Sequence, residues 1–260
     1  IFSVSGCSTQ KTEEEELMEK NLSEIEYLDN YIILMLNSIN DIDLKQYDAK
    51  IERTENLNEV INTDEEISSE DSGNNIVQYM MIPNMILNSD HMTNWEGLKI
   101  EIENLNNIWP SIIVDFYKAN IDNNKLIEFS NDINTCTKNV KEENRGETLN
   151  NLVKLYDYIP FFLEKIDNNE SKIGIAKTKA SILKGYVNID LEQWDELKRN
   201  LDNAISDYEI VVNRTKSLEK EYNINKAYVL LQEFKNACET KDKELLLMKY
   251  KNLMEELIIL

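Results

Sequence analysis

Apolar positions along the chain recur at alternating steps of three and four, the period that lines one face of an α-helix. Ile25, Leu28, Ile32, Met35 and Ile39 form the first stripe. Trp95, Leu98, Ile102, Leu105, Trp109, Ile112 and Phe116 form the second, followed by Leu126, Phe129, Ile133, Cys136 and Val140. Then come Leu149, Leu152, Tyr156, Ile159, Leu163 and Ile166, and after them Ile173, Ala176, Ala180, Leu183 and Val187. Leu191, Trp194, Leu197, Leu201, Ala204, Tyr208 and Val211 follow. The last two stripes are Ile224, Ala227, Leu231, Phe234, Cys238 and Leu246, Tyr250, Leu253, Leu257, Leu260. No comparable stretch alternates with a period of two, so the pattern predicts an all-α helical bundle without a sheet. Asp122-Asn123-Asn124, Glu143-Asn144-Arg145-Gly146, Asp167-Asn168-Asn169 and Asn188-Ile189-Asp190 supply caps and turns between stripes. Pro110 and Pro160 fall inside apolar patterns, where a missing N–H and a ring clash predict a kink or a break.

The pattern also repeats. Asn94-Trp95-Glu96-Gly97-Leu98-Lys99 matches Gln193-Trp194-Asp195-Glu196-Leu197-Lys198. In the same register Ile102 falls on Leu201, Trp109 on Tyr208 and Ile112 on Val211, and Asn134-Thr135-Cys136 falls on Asn236-Ala237-Cys238 after a three-residue shift. The bundle is therefore expected to be a duplicated three-helix unit, with copies near 95–166 and 194–260 joined by the helix at Ile173–Val187. The spacing does not match the tetratricopeptide pattern. Between the first helix and Trp95 the signals are mixed. Asp41 to Glu59 suits a short helix, Thr63 to Asn75 is an acidic loop poor in bulky apolar residues, and Ile76 to Leu87 is an apolar cover segment containing Pro83. The expected organisation is a residual signal segment at 1–6, a tether at 7–16, a helix with acidic loop and cover at 17–94, and the duplicated bundle at 95–260.

Composition narrows the function classes. With 6 Gly and 3 Pro among 260 residues, long helices with few tight turns are favoured. The formal net charge of −21 opposes binding to nucleic acid or to anionic lipid headgroups. The longest apolar run, Tyr31 to Leu36, is far short of a membrane span.

Near the start, Val4-Ser5-Gly6-Cys7 follows Ile1-Phe2-Ser3 and is followed at once by polar residues, Ser8 to Thr12 and then Glu13 to Glu16. These residues resemble the lipobox of bacterial lipoproteins, in which small side chains precede a cysteine that becomes the lipidated first residue. The resemblance implies lipidation at Cys7, a membrane-lipid partner through that thiol, and an extracytoplasmic body. The abundance of Asn, Ile, Lys and Glu resembles proteins of low-GC Gram-positive bacteria, whose lipoproteins face outward from the cell membrane.

Chemistry-bearing motifs do not emerge. His91 is the only histidine, so multi-histidine metal sites and ferritin-like Glu-x-x-His pairs are not available. The acidic 64–75 loop has oxygen ligands without EF-hand spacing. There is no Gly-rich phosphate loop and no Gly-x-Ser-x-Gly elbow. Cys136 and Cys238 occupy equivalent apolar-face positions in the two copies and read as separate buried thiols. Trp95, Trp109, Trp194, Tyr156, Tyr158, Phe161, Phe162 and Tyr208 read as core, with a groove lining as the alternative. The expectation is a membrane-anchored, non-enzymatic binding or assembly module with no catalytic residue, cofactor or metal, whose partner is a protein, peptide or envelope ligand. A ligand or ion carrier with a pocket between the two copies is the alternative, and a carboxylate-based hydrolase is a weaker third.

Overall fold

A computed structural model describes residues 12–42, 44, 93–215 and 218–260, the side chains of 218–220 excepted. Residues 1–11, with Cys7, and the segment expected to hold the short helix, acidic loop and cover lie outside the described residues, as does His91. Among the described residues the chain is all-α, with no strand.

Helix α1 (Glu13–Ser38) starts earlier than its apolar stripe. Thr12 and Glu15 form a capping box: Thr12 Oγ1 accepts from the Glu15 amide at 3.2 Å, and the Glu15 carboxylate accepts from the Thr12 amide at 3.0 Å. Glu13 to Glu16 fill the first turn, where negative charge suits the helix dipole. The last residues of the expected tether are thus helical. Further on α1 is buried almost all round, as its run from Tyr31 to Leu36 requires: Tyr31, Ile32, Ile33, Met35 and Leu36 are all buried.

The remaining helices are α2 (Trp95–Lys118), α3 (Asn123–Lys141), α4 (Arg145–Tyr156), α5 (Tyr158–Ile166), α6 (Glu170–Asp190), α7 (Trp194–Arg214), α8 (Leu218–Ala237) and α9 (Lys243–Leu257), with a 3₁₀ turn at Cys238–Thr240. Asn94, Asp122, Asn144, Asn169 and Asp242 each cap the helix that follows, accepting a backbone N–H with the side chain. The two prolines behave differently. The stripe from Leu149 to Ile166 is two helices, broken at Asp157, and Pro160 sits in the first turn of α5, where a missing N–H costs nothing. Pro110 does not break α2, which continues through it with Pro110 on the exposed side. The span 95–166 therefore holds four helices rather than three.

Neighbouring helices are joined by tight turns. Glu143, Glu192 and Lys241 each take a positive φ, between 53° and 56°, directly before the cap of the next helix, and Asn120, at 59°, stands two residues before the cap Asp122. Only Asn120 is of a type enriched in the left-handed region; Glu143, Glu192 and Lys241 carry no such signal. Two hairpins share a further detail. Asn139 on α3 donates to Asn151 on α4 at 2.5 Å, and Asn200 on α7 donates to Asn188 on α6 at 2.7 Å. The α6–α7 hairpin is the most extensively packed pair. Its closeness depends on Gly174, where a Cβ would lie 2.7 Å from Val211 Cγ2.

Helix α1 packs on α2, α4 and α5, whereas α6 packs on α4, α5, α7 and α9. Between them α1 and α6 run parallel, joined by side chains. Lys179 reaches Asp29 at 2.8 Å, and seven residues further along both helices the Tyr186 hydroxyl donates to the Leu36 carbonyl at 3.2 Å. At the far end stands Arg145. Its Nη1 donates to the Ile39 carbonyl at 2.9 Å and to Thr93 Oγ1 at 2.8 Å, and its Nη2 to Asn40 Oδ1 and, at 2.6 Å, to Asp190 Oδ1. Thr93 also donates to the Ile39 carbonyl at 3.2 Å. One guanidinium thus gathers the end of α1, the approach to α2 and the end of α6.

Arg145→Ala is expected to cost about 2 kcal/mol in urea denaturation, since charged hydrogen bonds contribute roughly 1.5–3 kcal/mol each and water replaces part of this at a half-buried site. Arg145→Lys recovers only a fraction, because an ammonium lacks the planar fork.

Candidate functional site

The seam between α1 and α6 opens into a groove of about 260 Å³. One wall is Leu22, Ile25, Glu26 and Asp29 of α1, and the facing wall is Lys172, Ile175, Ala176 and Lys179 of α6. Both sets follow i, i+3, i+4, i+7, so each is one helix face over two turns. Ile159 and Leu163 of α5 and Leu257, Ile258 and Leu260 at the end of α9 complete the lining.

Asp29 and Lys179 are the rung across this groove. Their side chains are only 15% and 6% exposed. Asp29 accepts from Lys179 Nζ with one oxygen and from the Tyr156 hydroxyl with the other. Burying either charge alone costs several kcal/mol, so pairing is what permits the arrangement. Lys172 stands at the outer edge, with Nζ 3.1 Å from Asp167.

A second polar cluster occupies another face of α1. Asp115 on α2 is bound by Lys20 at 2.7 Å and Lys118 at 2.8 Å. Desolvation raises the Asp115 pKa, but the two ammoniums outweigh it and hold the group below its usual range. Glu24 is pushed up to about 8, first by burial and then by the neighbouring Asp115 charge. Asn21, fully buried one turn earlier, has no hydrogen-bond partner for either amide atom among the described residues. A second hollow, of about 280 Å³, lies beside Ile42, Leu44 and Glu101.

The residues singled out in the sequence scatter. Cys136 and Cys238 are both buried and unpaired, as their apolar-face positions predict. Burial raises the thiols to about 12 and about 11 respectively, which leaves them protonated and inert as nucleophiles. Trp109 is core and donates to Ser130 Oγ at 2.8 Å. Trp95 and Trp194 are the first residues of α2 and α7 and pack against the core edge. Phe162 and Tyr208 are fully buried, and Tyr158 and Phe161 partly so. None of these aromatic residues lines the groove; of the aromatics named, Tyr156 alone touches its rung. Asp29, Lys179 and Arg145 were missed. The available signal was a charge placed on an apolar stripe: Lys179 lies three residues from Ala176 and four from Leu183, and Asp29 four from Ile25. Among the described residues there is no cluster of three metal-ligating side chains, and no helix is long and apolar enough to cross a membrane.

Two sets of variants test these clusters. Lys179→Ala leaves Asp29 buried without its ammonium and is expected to cost about 3 kcal/mol, while the triple change Lys179→Met, Asp29→Leu, Tyr156→Phe stays within ~1 kcal/mol of the parent in urea denaturation. For Glu24, the folded chain keeps a proton that the unfolded chain releases near 4.5, so stability is greatest below pH 4.5 and falls as pH rises to about 8. Glu24→Gln removes that slope. Urea midpoints at pH 5, 7 and 9 are expected to show the Gln variant gaining on the parent with each step.

A comparison with protein-family models, curated proteins and solved structures finds no match to this chain.

Proposed function

We propose that this chain is the extracytoplasmic body of a membrane-anchored lipoprotein, lipidated at Cys7, and that it acts as a non-enzymatic binding or assembly module. The observation that carries the reading is Val4-Ser5-Gly6-Cys7, a small-residue run ending in a thiol, placed five residues before the capped start of α1 at Thr12. Acyl chains carried through the cysteine sulfur hold a protein on a bilayer at about 0.8 kcal/mol per buried methylene, and two chains suffice for lasting attachment. Cys136 and Cys238 are buried with raised pKa values, which leaves Cys7 as the thiol suited to modification. The surface charge of −21 keeps the body off anionic headgroups, so attachment is assigned to the lipid rather than to the fold.

The α1–α6 groove is the binding region in this reading, since aliphatic walls with a few convergent polar groups are the common form of a ligand pocket; its long walls belong to α1 and the linking helix α6, so it is not the pocket between the two copies that the carrier alternative calls for. The duplication of 95–166 and 194–260 belongs to the same proposal. Leu98 and Leu197, Ile102 and Leu201, Leu105 and Ala204, Trp109 and Tyr208, Ile112 and Val211, and Cys136 and Cys238 are all buried pairs in the proposed register, and they support two related units sharing one core.

Expression in a Gram-positive host with labelled fatty acid tests the anchor. The parent is expected to incorporate label and fractionate with membranes, and Cys7→Ala to lose both. Equal labelling of the two chains overturns the proposal.

A further inference from the structure

The groove also restricts its own ligand. Its two long walls are single helix faces two turns in length, about 10 Å at 1.5 Å per residue. Among the described residues its lining, from Leu22 and Ile25 on one side to Ile175 and Ala176 on the other, carries no aromatic ring. Such a slot gives a planar ligand nothing to stack on and suits a flexible chain in contact with branched side chains. At about 260 Å³ it lies at the small end of ligand pockets, a size that suits one slender segment. The ion pair inside it, Asp29–Lys179, is internally compensated and backed by Tyr156. The ligand portion inside is therefore apolar, and the polar part belongs at the rim, beside Glu26 and Lys172.

We infer that the groove holds the unbranched aliphatic tail of a single-chain amphiphile. The inference rests on reading the groove as the binding region. It also fits the proposed anchor: Leu22 is nine residues beyond Glu13, about 14 Å along α1, and Cys7 is five residues before Thr12, at most ~18 Å of chain. The slot thus lies within reach of the lipid surface.

The test uses the full 260-residue chain carrying Cys7→Ser, so that its outcome is independent of lipidation. Equilibrium dialysis with radiolabelled decanoate, below its self-assembly concentration, is expected to show one saturable site. Ala176→Phe fills the slot and Leu22→Gln makes its wall polar; each is expected to weaken binding at least tenfold. Ile100→Phe, on an exposed face of α2, leaves it unchanged. Unlabelled octanoate competes and benzoate does not. Circular dichroism confirms that each variant is folded, and either groove variant alone suffices. Absence of saturable binding, equal affinity in folded groove variants, or competition by benzoate equal to that of octanoate overturns the inference. Such a failure leaves fatty-acid labelling at Cys7 intact, and a failure of labelling leaves the dialysis result intact.

Discussion

The bundle depends on the burial of α1 along most of its circumference. A helix apolar on one stripe needs one neighbour, whereas α1 with Ile32, Ile33, Met35 and Leu36 all inside needs several. Helices α2, α4 and α5 meet that need directly. Helix α6 meets it differently, through Lys179, Tyr186 and the Arg145–Asp190 pair, which bridge a seam instead of closing it. Direct apolar contact on three sides and polar rungs on the fourth leave room for a groove in that fourth side. Solid packing elsewhere keeps the walls in place.

The helical class and most helix positions were legible because amphipathic periodicity reports burial directly. Helix ends were legible where a capping side chain stood, as at Asn94, Asp122 and Asn169. Periodicity misled at Asp157, because α4 and α5 bury the same side of the chain and their stripes run together. At Pro110 the missing N–H and ring clash do not break α2, which runs on with the proline on its exposed side. The start of α1 was hidden because Glu13 to Glu16 have no apolar periodicity, and only the Thr12–Glu15 spacing betrays the cap.

The groove was less legible for a physical reason. A stripe pattern records which face of a helix is covered but not what covers it. Leu22, Ile25, Ile175 and Ala176 look like ordinary core positions, and only their parallel placement across the seam turns them into walls. Lys179 and Asp29 stood out in principle as charges among apolar residues, yet their partnership, 150 residues apart in sequence, required the fold. Aromatic residues read as core from their stripes, and they build cores on either side, such as Trp109, Phe116, Phe129 and Phe162 in the first half and Tyr186 with Tyr250 in the second.

The Arg145 clasp has a consequence for how this chain tolerates change. Ile39 and Thr93 are held together by contacts that lie wholly within the bundle. Arg145 and Asp190 tie that junction to the end of α6 as well. Ile39, Asn40, Thr93 and Asp190 thus answer to one guanidinium, so substitutions among these positions act on a single shared network and their effects do not simply add.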